Sequence, residues 1–587
     1  MVANFKPTSS SQTLHSWALS RTLQEIRWTT TELIQSCVSC HPMEARFPIV
    51  GPSSLAPSAP GLTVSPYEDD SVARKHSVRC LEGSVEERGL LRSFVKCPET
   101  AADPSGIGLS TLPDNVLLSV FRYYVADAGD LRRWPALAGV CQRWRYLMAA
   151  SADRLNLRLF CTEKAPAAEM IDAWPTLPIV IKNGGDRDPT RQSAGDIIAV
   201  LEHRSRVCEL SLPHLTSTVW DRVVEFTQDP FPQLTSLELA ANDDETTAIV
   251  VPESFLAGSA PRLRKVDLAN IPFLALPKLL LSATDLVYLR IWDVPNSGFI
   301  PPEAIATCLP AMEKLETFHF GFRSPRPPPS PASRRQPPPT RATLPALNQF
   351  YFRGNSEYLD DLVAHIDTPL LDDLSVTFFT QLAFYTPELL RLISCTEKFI
   401  TLDHAEVLFH SDHVKVKFSS SLPRGTVDRE SLVLVIRCRG LLCQLLGLAQ
   451  VLRPPLPPLS TLQQLHISEG QPGQHLHPNS EEETEEEWLG LLQPFTALGD
   501  LYLSEELAPR VLPALRELTK DRATKVSPTL QNVFLDGPQP LGPIQDALAD
   551  FITEQQLSSH PVAVHIKEKG NWVGYMARSQ YVKINID

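Results

Sequence analysis

Residues 234–239 read LTSLEL, residues 263–268 LRKVDL and residues 286–291 LVYLRI. Each hexapeptide is apolar at its first, fourth and sixth positions. The last two of these alternate, so they point to one side of an extended chain. The same pattern occurs at Val207/Leu210/Leu212, Leu315/Phe318/Phe320, Leu347/Phe350/Phe352 and Leu371/Leu374/Val376. It returns at Leu462/Leu465/Ile467, Leu498/Leu501/Leu503 and Leu530/Val533/Leu535. The interval from Leu371 to Leu462 has room for about three units, since repeats of this kind run to 20–50 residues. Residues 399–402 and 432–436 are candidate strands within it. One unit cannot bury its own apolar side, but stacked units share a continuous core. Burying one Leu or Phe is worth roughly 1.5–3 kcal/mol, so ten triads outweigh any single contact elsewhere.

This pattern resembles an irregular leucine-rich repeat over most of residues 179–537. The expected fold class is α/β: a curved solenoid in which short strands line one face and the returning segments, such as 302–309 and 388–394, are often helical. The strand face is the usual binding surface of a solenoid. A doubly wound sheet would need glycine-rich or catalytic turns at its strand ends. The chain has no G-x-G-x-x-G, no P-loop and no G-x-S-x-G elbow. Residues 543–557 read as a closing helix, with Ile544, Leu548, Phe551 and Ile552 on one side.

Upstream, residues 109–160 read LSTLPDNVLLSVFRYYVADAGDLRRWPALAGVCQRWRYLMAASADRLNLRLF. Pro113 suits the first turn of a helix, where its missing N–H costs nothing. Leu117, Val120, Phe121 and Tyr124 follow at the spacing of one buried stripe. A second helix is expected from Trp134-Pro135, carrying Leu137, Val140, Cys141, Trp144 and Leu147. So short a unit buries too little surface to stand alone, and something else should cover the apolar residues off the stripes.

This stretch resembles an F-box, in Leu112-Pro113, Leu117-Leu118, Val120-Phe121 and the V-C-x-x-W run of Val140, Cys141 and Trp144. The resemblance implies docking onto a Skp-type adaptor through Leu112, Pro113, Leu117, Leu118, Val120 and Phe121, with Val140, Cys141 and Trp144 contributing. It further implies a cullin ligase core as partner and a protein substrate, of unknown identity, on the repeats. The competing expectation is a repeat scaffold outside any ligase, capped by the helices. If Leu112, Leu118 and Phe121 were all enclosed by this chain, only the scaffold would remain.

Four regions follow: a largely disordered 1–105, the helical module 106–160, the solenoid 161–560, and a tail 561–587. The solenoid carries a Pro-rich loop at 324–340, which fits an SH3 or WW ligand loosely, and an acidic loop at 478–487. The formal net charge is −14. Without a long basic stripe, nucleic acid is not an expected partner. No apolar stretch is long enough to suggest a membrane span. The 11 cysteines are odd in number and scattered, which favours a reducing compartment, cytoplasmic and/or nuclear. Residues 37–41 have the C-x-x-C-H haem spacing without a surrounding helical domain. His404, His410 and His413 fall near Asp403 and Asp412 but lack a metal-motif spacing. No catalytic set, metal or cofactor is expected.

Overall fold

The computed structural model describes residues 112–127, 134–161, 171–182, 194–242, 249–325, 341–381, 383–420, 431–453, 456–470, 485–520, 529–536, 548–553, 562–568, 571–575 and 581–583. The expectations for 1–105, for the 37–41 motif and for most of the Pro-rich and acidic loops lie outside these residues.

Three helices open the described chain: α1 (Asp114–Asp127), α2 (Trp134–Val140) and α3 (Gln142–Ala150). The carbonyl of Pro113 accepts the N–H groups of Val116 and Leu117 at 3.0 and 3.1 Å. Asp114 places a negative charge at the positive end of α1. The single second helix expected from the sequence is two. Cys141 has an extended backbone, φ −158 and ψ 167. The break turns α3 so that Trp144, Leu147 and Met148 are buried.

The rest is one mixed α/β repeat ladder. Its strands are β1 (Leu159–Cys161), β2 (Ile179–Lys182), β3 (Val207–Leu215), β4 (Ser236–Ala241), β5 (Lys265–Ala269), β6 (Tyr288–Val294) and β7 (Thr317–Phe322). A short β8 (Ala342–Thr343) precedes β9 (Gln349–Gly354); a short β10 (Ile366–Asp367) precedes β11 (Asp373–Phe378). Then come β12 (His404–Phe409), β13 (His413–Ser419), β14 (Leu432–Arg437), β15 (Gln464–Glu469), β16 (Asp500–Ser504), β17 (Asn532–Asp536) and β18 (Ala563–Glu568). From β1 to β7, and on through β9 and β11, each strand pairs in parallel with the next. β8 and β10 form a separate pair.

Every triad faces inward. Leu234, Leu237 and Leu239 are fully buried, as are Leu315, Phe318 and Phe320. In several units the first member of the triad sits in a tight turn before its strand. The N–H of Leu234 bonds the Phe231 carbonyl, Leu263 bonds Ala260, and Leu286 bonds Ala283, at 3.1–3.2 Å. Where Phe replaces Leu the rings stack between units, Phe318 on Phe350 at 5.3 Å. The returning helices arrive close to expectation, at Pro302–Ala306 and Pro387–Cys395.

The long interval differs from expectation. β14 lies beside β11, as the candidate strand at 432–436 requires. Residues 399–402 are not a strand, because Glu397–Ile400 is a helical turn. Phe399 and Leu402, both buried, lie three apart, which is a helical spacing. In place of three parallel units there is an antiparallel hairpin, β12–β13, set between β14 and β15. The ladder then resumes in parallel through β16, β17 and β18. It therefore runs past the boundary placed at residue 560. Two further strands, Asn571–Tyr575 and Tyr581–Lys583, follow antiparallel. Residues 548–553 of the expected closing helix are helical, with Leu548 and Phe551 buried.

Candidate functional site

Two surfaces are candidates: the outside of the helical module and the strand face of the ladder. In the module, the F-box-like residues divide. Leu117, Phe121 and Trp144 are core, with Phe121 and Trp144 in edge contact at 4.8 Å. They have nothing to offer an outside partner, contrary to the direct contact that the resemblance implies for Leu117 and Phe121. Leu112, Leu118, Val120 and Cys141 are half-buried, while Pro113 and Val140 are exposed. The condition for discarding the module as a docking unit is therefore not met. Val116, Tyr123 and Tyr146 add exposed apolar area, Tyr146 at 75%. Arg143 fixes the entrance, donating to the Leu112 carbonyl and to Asp114, both at 2.6 Å.

The module is tied to the first strands. Trp134 Nε1 donates to the Arg158 carbonyl at 2.9 Å, and its ring meets Trp174 edge-on at 4.9 Å. Arg158 pairs with Glu209 on β3, and the Leu159 N–H bonds the Pro178 carbonyl at 2.8 Å. The helices and the ladder thus share one joint.

On the strand face, the residue between the last two apolar positions of each triad points outward. Register joins these into one row: Ser211, Glu238, Asp267, Arg290, His319, Tyr351 and Ser375. Its middle is aromatic. His319 lies 4.2 Å from Tyr351 and 5.7 Å from Tyr288. Trp292 lies over Gly321, where any added Cβ would stand 2.9 Å from the indole. The Arg353 guanidinium is 4.9 Å above the Trp292 ring and pairs with Asp293. Burial pushes the Asp267 carboxyl up, although Arg290 at 3.4 Å pulls it down. Burial, and then Arg290, pushes His319 down to about 4.

The far end of the ladder carries a second aromatic row. His466 stacks on Tyr502 at 4.0 Å, Tyr502 on Phe534 at 4.4 Å, and Phe534 on His565 at 4.6 Å. Beside it on the same side of the sheet runs a polar chain: Gln464 and Asn532 donate to Asp500, and His565 Nε2 meets Asn532 Oδ1 at 3.2 Å. Neither row was identified from sequence. The signal was there, as the middle residue of each apolar-x-apolar strand.

The pKa of His319 sets a pH dependence. The unfolded imidazole, near 6.5, takes up a proton more readily than the folded one, near 4. His319 therefore adds stability above pH 6.5 that is lost as pH falls toward 4. At 1.36 kcal/mol per pKa unit the full difference is about 3.4 kcal/mol, which solvent screening at this half-buried ring reduces to roughly 2 kcal/mol. His319→Phe should lose correspondingly less stability than the natural chain between pH 7 and 4.5 in urea melts. Parallel acid limbs would remove this role.

His404, His410 and His413 do not converge. His404 starts β12 and His410 follows its end. His410 stacks on His413 at 4.2 Å, and His413 Nδ1 is 2.7 Å from Asp412. Among the described residues, no three metal-ligating side chains come together. Nor is any described helix long and apolar enough to cross a membrane.

No family model matches the chain, and no curated protein matches it. Ten chains of solved structures do. One is the leucine-rich repeat-containing protein LegL7 from Legionella pneumophila, 13% identical, covering 58% of this chain and 97% of its own, with a TM-score of 0.24. The repeat architecture stands on the ladder itself.

Proposed function

We propose that this protein is the substrate-recognition subunit of a cullin-based ubiquitin ligase. The helical module docks a Skp-type adaptor, and the strand face captures a protein substrate. The observation that carries this reading is the module itself: three helices that bury Leu117, Phe121 and Trp144 keep Leu112, Leu118, Val120 and Val140 at least partly at the surface, beside the V-C-x-x-W run. The mechanism is proximity. A substrate held on the ladder has its lysines near a ubiquitin-charged enzyme, at raised effective concentration, with no chemistry done by this chain. The Trp134–Trp174 joint suits that task, because it fixes the direction from adaptor to substrate. This reading places the protein in the cytoplasm and/or nucleus.

The same joint favours one second reading, a repeat scaffold whose helices only cap the open end of the stack. Affinity purification with a Skp-type adaptor separates the two. Leu118→Asp with Val140→Asp should weaken adaptor binding at least about thirtyfold, or 2 kcal/mol, while leaving the thermal midpoint within a few degrees. If the natural chain retains no adaptor, or the double variant retains it fully, the scaffold reading replaces the ligase reading.

A further inference from the structure

β14 ends at Arg437, and a helix, Leu441–Leu452, follows almost at once. Between them the chain reverses through Arg439 and Gly440, with Gly440 at φ +84. A Cβ added there would meet nothing within 4 Å. The backbone conformation therefore calls for glycine, not the space around it. The turn sets Cys438, just past β14, against Cys443, in the first turn of the helix. The Cys438 thiol is hydrogen-bonded to the Cys443 thiol.

Gln444 pins this arrangement. Its side chain is fully buried, and Nε2 donates to the Cys438 carbonyl at 3.1 Å and to the His410 carbonyl at 2.7 Å. Its backbone N–H bonds the Gly440 carbonyl at 3.2 Å. The residue after Cys443 is thus tied to Cys438 by its side chain and to the turn by its backbone. It is tied as well to the end of β12 at His410.

The two thiols differ in access. Cys438 is 4% exposed, whereas Cys443 is open to solvent. Burial, and then the Cys443 thiol beside it, pushes Cys438 up. Cys438 therefore stays protonated and shielded, and Cys443 is the sulfur an oxidant reaches. Other buried thiols are spent on the core: Cys208 donates to the Ile179 carbonyl at 3.3 Å and Cys308 to the Pro277 carbonyl at 3.1 Å.

We propose that Cys438 and Cys443 form an oxidisable dithiol, closed to a disulfide by hydrogen peroxide, and that closure locks the end of β14 to the start of the helix. The Cys443 sulfur attacks one peroxide oxygen. An S–O bond forms, the O–O bond breaks, and the departing hydroxide leaves as water with the Cys443 proton. The Cys438 sulfur then attacks the Cys443 sulfenic acid. An S–S bond forms, the S–O bond breaks, and the hydroxyl leaves as a second water with the Cys438 proton. Two thiols lose two electrons, and one peroxide is reduced to two waters. A dithiol reductant reopens the pair by exchange. Transient disulfides of this kind are the form suited to a reducing compartment. The proposal is independent of the ligase reading.

The test is treatment of the full chain with excess hydrogen peroxide, followed by non-reducing peptide mapping. The expected product is a crosslink between Cys438 and Cys443 that dithiothreitol reopens. Cys443→Ser should abolish it. In Cys438→Ser the Cys443 sulfenic acid has no partner, and its labelling by dimedone should rise at least about fivefold over the natural chain. Amide exchange over residues 441–445 should slow on oxidation and recover on reduction. Unfolding curves identify a variant that fails to fold, and the crosslink and exchange in the natural chain stand without the variants. Absence of the crosslink, a Cys443 disulfide to another cysteine in its place, unchanged dimedone labelling in folded Cys438→Ser, or unchanged exchange in the crosslinked chain would each overturn the proposal.

Discussion

Phe121→Asp unfolds the helical module instead of merely disarming it. Phe121 is fully buried and meets the Trp144 ring at 4.8 Å. Removing such a ring costs about 3–5 kcal/mol on its own. A carboxylate left in its place adds several more, because nothing there can solvate or pair it. A module of three short helices has no reserve of that size. The expected result is loss of the Trp144 near-ultraviolet signal and rapid proteolysis within residues 112–150. The strand signal of the ladder persists. Leu118→Asp, at a half-buried position, keeps both the signal and the protection. A Phe121→Asp chain with an intact Trp144 signal would show that the α1–α3 core is not built as described. The contrast also fixes which variants report on docking: lost adaptor binding in Phe121→Asp reflects unfolding, whereas lost binding in Leu118→Asp reflects the surface.

This split explains how far the sequence could be read. The stripe of Leu117 and Phe121 was legible because helical periodicity marks burial. The adaptor contact expected of Phe121 comes from the F-box resemblance, although its place on the stripe already puts it in the core. The break at Cys141 was not legible, since Val140, Cys141 and Trp144 keep helical spacing across it. In the ladder, the ten triads located β3 to β7, β9, β11 and β15 to β17. In the hairpin, Leu402/Ala405/Val407 carries a weak form of the triad into β12, whereas β13 has Ser411 where a triad would begin. Residues 413–419, HVKVKFS, alternate cleanly and read as a strand on their own terms. β18 escaped for a related reason: Pro561 occupies its leading position. The strand face required register as well. Arg353 and Lys415 are 62 residues apart, and only the β9–β11–β14–β13 pairing sets them in one row across four strands.

Gly298→Val tests whether neighbouring units depend on each other as a stack should. Gly298 ends a short turn, Asn296–Gly298, after β6 and is buried. Its N–H bonds the Pro295 carbonyl at 2.9 Å. A Cβ there would stand 2.6 Å from Pro272 Cα and 3.0 Å from Pro272 Cβ. Pro272 belongs to the preceding unit, and its carbonyl accepts the Val251 N–H of the unit before that. The obstacle is backbone, so no rotamer change can relieve it. Overpacking of a closed site costs about 1–3 kcal/mol, and more when the main chain must move. Gly298→Ala should therefore cost about 2 kcal/mol and Gly298→Val about 4 kcal/mol. Because each unit contacts mainly its neighbours, the damage should stay local. Hydrogen exchange should rise across residues 249–300, while residues 464–469 and 500–504 keep their protection. Equal loss of protection along the whole ladder would mean that it unfolds as a single cooperative block. An unchanged midpoint for Gly298→Val would mean that the Pro272–Gly298 contact is not where adjacent units meet.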